Sequence, residues 1–194
     1  MAPAANAMVC IASGPSLTAE DCAAVRQSGL TTIAVNSSWK LAPFCDILYA
    51  GDVGWWEANI HEIDIPAARW TCSQQASRRF DLHRHVAFGS CNSGLRAIQL
   101  AFELGAEQVL LLGYDCSVAH GTHWHGDHTT TSNPTSVSCA TWMRGFAQLP
   151  GRERVFNCSR ETALTVFRRM SLAEGLTHAA SVRKVGGVED ECAG

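Results

Sequence analysis

Four of the chain's eight histidines fall in one short stretch, the densest group of side chains here that could do chemistry. His120 directly precedes the segment GTHWHGDHTTTSN (121–133), which contains His123, His125 and His128. Imidazole exchanges a proton near neutral pH and also binds zinc, so this stretch could supply a general base or a metal site. The rest of the sequence is needed to choose between a general base and a metal site.

The segment HWHGDH (123–128) matches the H-x-H-x-D-H pattern of metallo-β-lactamase-type hydrolases. That fold needs further ligands downstream, normally two more histidines and an aspartate, but only His178 follows His128. Its β-sandwich core also disagrees with the strand–helix alternation described below. We therefore expect no metal and no cofactor. A local metal site on the loop, and a metal-dependent phosphoesterase that uses it, stay open as alternatives.

Two glycine-containing turns could bind a phosphate group. ASGPSL (12–17) joins an apolar run to a helical pattern, and NSG (92–94) opens a second helix with Ser93 as its expected N-cap. Glycine lets the backbone approach a ligand, and a helix N-terminus offers N–H groups with partial positive charge. Neither turn is a Walker A loop or a G-x-G-x-x-G fingerprint, and each could equally be structural.

Short apolar runs alternate with helical patterns along the chain. We predict strands at 8–12, 31–35, 46–52, 68–73, 108–115 and 154–159, and helices at 18–28, from Trp55, 93–104, 135–149 and 161–169, with 74–92 weakly patterned. This alternation indicates an α/β domain whose mostly parallel sheet has helices on both faces. In such sheets, ligands bind at the carboxyl ends of the strands. The polar residues at predicted strand ends are therefore ligand-binding candidates: Ser13, Asn36, Asp52, Asp115, Asn157 and Ser159.

The bulk composition describes one domain of ordinary size. The chain has 194 residues, a formal net charge of −3 and no run of about 18 apolar residues, so neither nucleic acid nor a membrane is an expected partner. Nine scattered cysteines without a C-x-x-C pair, and no signal peptide, predict a reducing, cytoplasmic location. We expect residues 1–178 to form the domain and 179–194 to be a flexible tail.

Taken in order, these segments resemble a known family. The turn GPSL, the strand ends VNSS and LYAGD, the block NSGLRAIQLAFELGAEQVLLLGYD, a histidine-bearing loop and RVFNCSRETAL look like the bacterial sialyltransferases of glycosyltransferase family 42. They look still more like phage and prophage members of the wider family of domain of unknown function 115. That family also includes archaeal 6-hydroxymethylpterin pyrophosphokinase-like proteins. The resemblance covers about residues 8–172 and implies a Rossmann-like fold, with the host cytoplasm as the location of a phage-encoded member.

The resemblance also implies roles for individual residues. Ser13, Gly14 and Ser16 would lie against the phosphate of a cytidine monophosphate-activated donor, although Ser13 stands where the sialyltransferases have Asn. Asn36 matches a donor-contacting Asn, and Ser93 and Gly94 match a Ser-Gly that contacts the nucleotide. Asp115 matches the Asp after the central strand. The general base would be a loop histidine, either His123 or His128. The loop is shorter than in that family and lacks its phosphate-binding tyrosines.

The predicted function is therefore that of a small transferase with a nucleotide or nucleotide-sugar ligand, of the cytidine type among others, and an unidentified acceptor. We expect a glycosyltransferase-like enzyme that works as a homo-oligomer. Two further alternatives stay open beside the phosphoesterase. One is a magnesium-dependent pyrophosphokinase of the pterin type, which needs carboxylates such as Asp52, Asp115 and Asp127 to converge. The other is a non-catalytic phage protein that sequesters a nucleotide.

Overall fold

An eight-stranded parallel sheet runs through the centre of the protein. The computed structural model describes residues 7–89, 92–127 and 133–185. The strands are β1 (Ala7–Ile11), β2 (Thr31–Val35), β3 (Ile47–Tyr49), β4 (Ala68–Thr71), β5 (His83–Arg84), β6 (Gln108–Leu112), β7 (Val155–Asn157) and β8 (Arg168–Arg169). They lie in the order β5-β4-β3-β2-β1-β6-β7-β8, and every described pairing is parallel. The prediction of a single Rossmann-like α/β domain is confirmed.

Helices cover both faces of this sheet. Those described are α1 (Ala19–Ser28), α2 (Val53–Asn59), α3 (Gln74–Phe80), α4 (Ser93–Glu103), α5 (Ser136–Ala147) and α6 (Leu172–Val185). Successive side chains of a strand point to opposite faces, so Cys10 of β1 packs with α4 and α5 while Val9 packs with α1 and α6. Leu48 of β3 packs with α2 and α3. Among the described residues, no helix combines the length and apolar character needed to cross a membrane.

Capping residues set the ends of the helices. Thr18 accepts a hydrogen bond from the Asp21 backbone N–H, and Gly29 ends α1 with a left-handed φ of 63°, both as the sequence predicts. The prediction for α4 is wrong by one residue. Its N-cap is Asn92, whose side chain accepts from the Leu95 N–H, and Ser93 lies inside the first turn. An amide oxygen reaches the same donor as a serine hydroxyl, so composition alone does not choose between them.

Two elements occupy the segment that lacks a clear sequence pattern. α3 begins after Ser73, whose hydroxyl accepts from the Ala76 N–H, and ends at Asp81 in the left-handed region. β5 follows as an exposed edge strand that pairs with β4. A seven-residue helix and a two-residue edge strand each bury few side chains, so they leave little hydrophobic periodicity in the sequence.

The C-terminal part of the domain differs most from the prediction. The helix predicted over 161–169 is absent, because the Ala163 N–H donates to the Asp115 carbonyl and the Thr162 hydroxyl donates to the Tyr114 carbonyl. These bonds hold the segment against the end of β6, and β8 follows. α6 then runs through Ala179, which is fully buried against the sheet, to Val185. The flexible tail therefore does not begin at 179, and 186–194 lie outside the described residues.

Candidate functional site

A pocket opens at the carboxyl edge of the sheet, where β1 lies between β2 and β6. The chain leaves β1 toward β2 on one side and returns to β6 on the other, so the loops after β1 and β6 diverge and leave a crevice. The pocket encloses about 670 Å³ of space, including its open mouth. Seven predicted site residues line it: Ser13, Gly14, Asn36, Ser93, Gly94, Asp115 and His123. Helix α4 points its N-terminus at this space.

The loops after β1 and β6 pack against each other along the floor of the pocket. The Ala12 N–H donates to the Leu112 carbonyl and the Gly14 N–H to the Gly113 carbonyl, both at 2.8 Å. A Cβ on Gly14 would overlap the Asp115 carboxylate and lie 2.5 Å from the Gly113 carbonyl oxygen. Gly14 therefore has a reason to be glycine within the protein itself, in agreement with the structural role that the sequence left open for this turn.

Asp115 binds the turn after β1 through both of its carboxylate oxygens. The Ser16 N–H donates to Oδ2 at 2.8 Å and the Ser16 hydroxyl donates to Oδ1 at 2.7 Å. Burial raises the pKa of Asp115, and the two bonds from Ser16 oppose that rise. Ser16 itself does not line the pocket. The pair therefore fixes the position of the GPSL turn, and Asp115 reaches the pocket wall with both oxygens already hydrogen-bonded.

Replacing Ser16 should change how stability depends on pH. Because burial favours the neutral acid, the folded protein binds this proton more tightly than the unfolded chain, and stability falls as pH rises above the ordinary aspartate value of 3.8. Ser16→Ala removes a bond that favours the charged form, so we expect an added loss of about 1–2 kcal/mol at neutral pH and little loss in acid. Urea unfolding across this range measures it.

Ser28→Ala is the matched control for that experiment. The Ser28 hydroxyl donates to the Val25 carbonyl at the end of α1, where no ionisable group takes part in the bond. The loss of stability in Ser28→Ala should be the same in acid and at neutral pH. If the loss in Ser16→Ala is also independent of pH, Asp115 does not respond to Ser16 as the geometry indicates.

Three residues place polar groups on the wall opposite Asp115. Asn36 follows β2 with a left-handed φ of 51°, and its side-chain Oδ1 is buried without a hydrogen-bond partner. Ser93 accepts a hydrogen bond from the Gly51 N–H through its hydroxyl oxygen, which leaves its own hydroxyl proton available to a ligand. A Cβ on Gly94 would lie 3.0 Å from the ring of Tyr114, whose hydroxyl donates to the Gly94 carbonyl. Strained and unpaired polar groups of this kind concentrate at binding sites.

The histidine loop is attached to the turn after β1. The Trp124 N–H donates to the Ser13 carbonyl at 3.1 Å, and the Trp124 ring packs against the face of the sheet that carries α1 and α6. This anchor holds the half-buried His123 at the pocket. A left-handed Cys116, with φ of 50°, begins the loop at the pocket edge. The loop therefore approaches the pocket from the side opposite α4.

An extended loop would place His125 on the side opposite His123, but this loop is not extended. The Gly126 N–H donates to the His123 carbonyl, so the chain turns, and the two imidazoles stack with centroids 5.0 Å apart. His128 lies outside the described residues, and its predicted place in the pocket stays a prediction. Within 7–89, 92–127 and 133–185, no three His, Cys, Asp or Glu side chains are grouped as a metal site would require.

An apolar wall from α5 completes the pocket and was not predicted as part of it. Cys139, Trp142 and Phe146 recur along one face of this helix, and Leu164 from the segment before β8 joins them. Trp142 is half-buried, so part of its ring is open to a ligand. The helix itself is predictable from its stripe of apolar residues. Its position over the pocket depends on packing that the local sequence does not contain.

Besides Ser16, three predicted ligand-binding residues do not reach the pocket. Asp52 is exposed at the start of α2. Asn157 is fully buried and donates to the Thr162 hydroxyl, while the Ser159 hydroxyl accepts from the Tyr114 N–H. These interactions hold the end of β7 against the loop after β6, beside the crevice. Position at a strand end is therefore not enough, since only strands next to the switch point border the pocket.

Both tryptophans of α2 also lie away from the pocket. Trp55 and Trp56 are buried against each other and against β3, with ring centroids 5.1 Å apart. Neither ring lines the rim of the site, because α2 packs on the face of the sheet opposite α4.

Comparison of the chain with protein-family models, with curated proteins and with solved structures found no match, so a function has to be proposed from the chemistry of the pocket.

Proposed function

We propose that the chain is a small transferase that binds a nucleotide-activated donor in the pocket between β1 and β6. The observation that carries this proposal is the composition of the pocket wall at the switch point of the sheet. Polar groups from three loops and the N-terminus of α4 border one side, and an apolar wall with Trp142 borders the other. A nucleotide has the same division between an anionic phosphate and a flat base.

The transfer step uses groups on opposite sides of the pocket. The donor phosphate would lie at the first turn of α4, whose N–H groups and the Ser93 hydroxyl stabilise the negative charge of the leaving phosphate. An acceptor hydroxyl would approach from the histidine loop, and His123 would take its proton as the new bond forms. The carbon–oxygen bond to the donor phosphate then breaks, and the electron pair leaves with the phosphate. The resemblance to family 42 glycosyltransferases supports a sugar as the transferred group.

The geometry favours this proposal over magnesium-dependent pyrophosphoryl transfer. That reaction needs the carboxylates of Asp52, Asp115 and Asp127 around one ion. Asp115 is bound to Ser16, Asp52 is exposed outside the pocket, and Asp127 is exposed and accepts from the Thr122 hydroxyl. The three carboxylates are therefore tied to different parts of the site. A non-catalytic nucleotide binder would share the pocket, and a turnover assay distinguishes it from the transferase.

Nucleotide titration with a Trp142 variant tests the placement of the ligand. We expect a cytidine, uridine or adenosine nucleotide to bind the wild-type protein saturably in calorimetry. Trp142→Ala should weaken that binding by about 1–3 kcal/mol, which is the usual value of stacking a base on an aromatic ring. Trp70→Ala is the matched control, because Trp70 is half-buried against the same face of the sheet but lies outside the pocket.

Two outcomes would contradict the proposal. Absence of saturable binding for all three nucleotide classes removes the nucleotide pocket altogether. Equal weakening in the Trp142 and Trp70 variants indicates a general loss of packing and means that the base of the nucleotide does not stack on Trp142.

We also propose a cytoplasmic location, which would be the host cytoplasm for a phage-encoded chain, because the cysteines within the described residues are all free. A homo-oligomer belongs to the same proposal, and light scattering tests it.

A further inference from the structure

Three side chains outside the pocket carry buried polar atoms without a nitrogen or oxygen hydrogen-bond partner. Tyr49 at the end of β3 is 0% exposed, and the neighbour of its hydroxyl is the Cys72 thiol, a weak acceptor. His85, which follows β5, is 1% exposed, and neither ring nitrogen has a partner. The Arg96 Nε of α4 is buried and equally unpaired. A buried polar group without a good partner destabilises the folded protein, so three of them together require an explanation.

The three side chains form one cluster beside the pocket. The rings of Tyr49 and His85 have centroids 5.4 Å apart. Arg96 lies close enough to act on the pKa of both rings, and its Nη1 would be 2.8 Å from a Cβ on Gly51. The same Cβ would be 3.2 Å from the Ser93 hydroxyl, which lines the pocket. The cluster therefore adjoins the pocket across Ser93 and Gly51, at the ends of β3, β4 and β5.

What the cluster lacks is a negatively charged acceptor. The arginine guanidinium only donates, while the tyrosine hydroxyl and a neutral imidazole each add one donor and offer only neutral acceptor atoms. Burial lowers the pKa of His85, so the imidazole is neutral in the protein as it stands. Asp52 and Glu103 act on the cluster through their charge, but neither makes an ion pair with Arg96 among the described residues.

We propose that Tyr49, His85 and Arg96 form an oxyanion-binding subsite that takes a carboxylate or phosphate group. Such a group supplies several acceptor lone pairs and a negative charge, which satisfies all three donors and pairs with the guanidinium. The subsite is separate from the proposed nucleotide pocket, because its donors come from β3, the segment after β5 and the second turn of α4. It does not depend on that pocket binding a nucleotide.

Binding of two simple anions tests this subsite. Inorganic phosphate and malonate are titrated into the wild-type protein and into Arg96→Gln and Tyr49→Phe, with thermal stabilisation as the readout. We expect saturable stabilisation by at least one anion. The affinity should fall by about 10-fold to 100-fold in Arg96→Gln and by about 3-fold to 10-fold in Tyr49→Phe. The anion that binds more tightly identifies the group as a phosphate or a carboxylate.

A second readout separates the subsite from a cluster that is only structural. Without anion, Tyr49→Phe removes a buried hydroxyl whose neighbour is only the weakly accepting Cys72 thiol, so the variant should be no less stable than the wild type. Arg84→Gln is the matched charge control, because Arg84 is exposed beside His85 and should leave anion affinity unchanged. Weakening by Arg84→Gln equal to that by Arg96→Gln would show general electrostatic attraction and overturn the proposal. So would the absence of saturable stabilisation by either anion in the wild type.

Discussion

His123→Ala is expected to lower the turnover number by about 10²-fold to 10⁴-fold, which is the usual contribution of a general base. His123 lines the pocket, and the Trp124 N–H bond to Ser13 holds its loop against the turn after β1. Within the described part of the chain, His123 is the histidine that lines the pocket, so its loss removes the imidazole that would take the proton of the acceptor hydroxyl. The steady-state rate at which the protein consumes an activated donor, of the nucleotide class that the titration identifies, measures this loss.

Two neighbouring histidines provide controls for that experiment. His120 is exposed and paired with Glu161 at 3.4 Å outside the pocket, so His120→Ala should leave turnover unchanged. The His125 ring stacks on His123, so His125→Ala should have an intermediate effect by releasing the His123 ring. If His120→Ala lowers turnover as much as His123→Ala, the base is not His123. If nucleotide affinity falls in His123→Ala while turnover does not, His123 binds the donor and transfers no proton.

Gly113→Ala is expected to destabilise the protein by more than about 4 kcal/mol, a loss that is exceptional for one methyl group. Gly113 has a left-handed φ of 67° directly after β6. A Cβ at this position would collide with the Ala12 carbonyl oxygen and lie 3.0 Å from its carbon. The collision is with backbone that is hydrogen-bonded to β6, so it cannot be relieved by a change of rotamer. Denaturant unfolding measures the loss.

Gly29→Ala separates the collision from the backbone strain. Gly29 has a similar φ of 63°, but nothing lies within 4 Å of its Cβ position. Its variant should lose only about 1–2 kcal/mol, the usual cost of a left-handed conformation for an L-residue. If Gly113→Ala does not fold, its soluble yield beside that of Gly29→Ala gives the same comparison. Equal, small losses of stability in the two variants would show that the backbone at the floor of the pocket can move to accommodate a side chain.

Local signals predict the elements that carry their own start and stop residues. Strand 31–35 matches β2, and the helix from Thr18 to Gly29 matches α1, because a cap and an apolar run lie within a few residues of each other. β8 has only two residues and exists because it pairs with β7. The helix predicted before it fails because Thr162 and Ala163 bond to the end of β6, which lies far away in the sequence.

The residues of the pocket also divide into those that the local sequence predicts and those that depend on long-range packing. Asn36 and Asp115 are predictable because polar residues after parallel strands meet at one edge of the sheet, whereas Ser93 was predicted from the start of a helix. The sequence does not state the order of the strands, so Asp52 and Asn157 have the same pattern but lie beside strands that do not border the crevice. Trp142 and the Tyr49–His85–Arg96 cluster depend on how α4 and α5 pack over the sheet. Nothing in their local sequence marks them as part of a site.

The pairing of β1 with β6 also determines when the pocket can form. Met8 pairs with Val109, about 100 residues later in the chain, and the walls of the pocket come from both sides of this long gap. Such a contact closes a large loop, and proteins rich in these contacts fold slowly. On the ribosome, β1 and β2 must therefore wait for β6 to emerge before any ligand can bind. A ligand that bridges both walls would slow global unfolding, so its residence time and the protein's resistance to proteolysis should rise together.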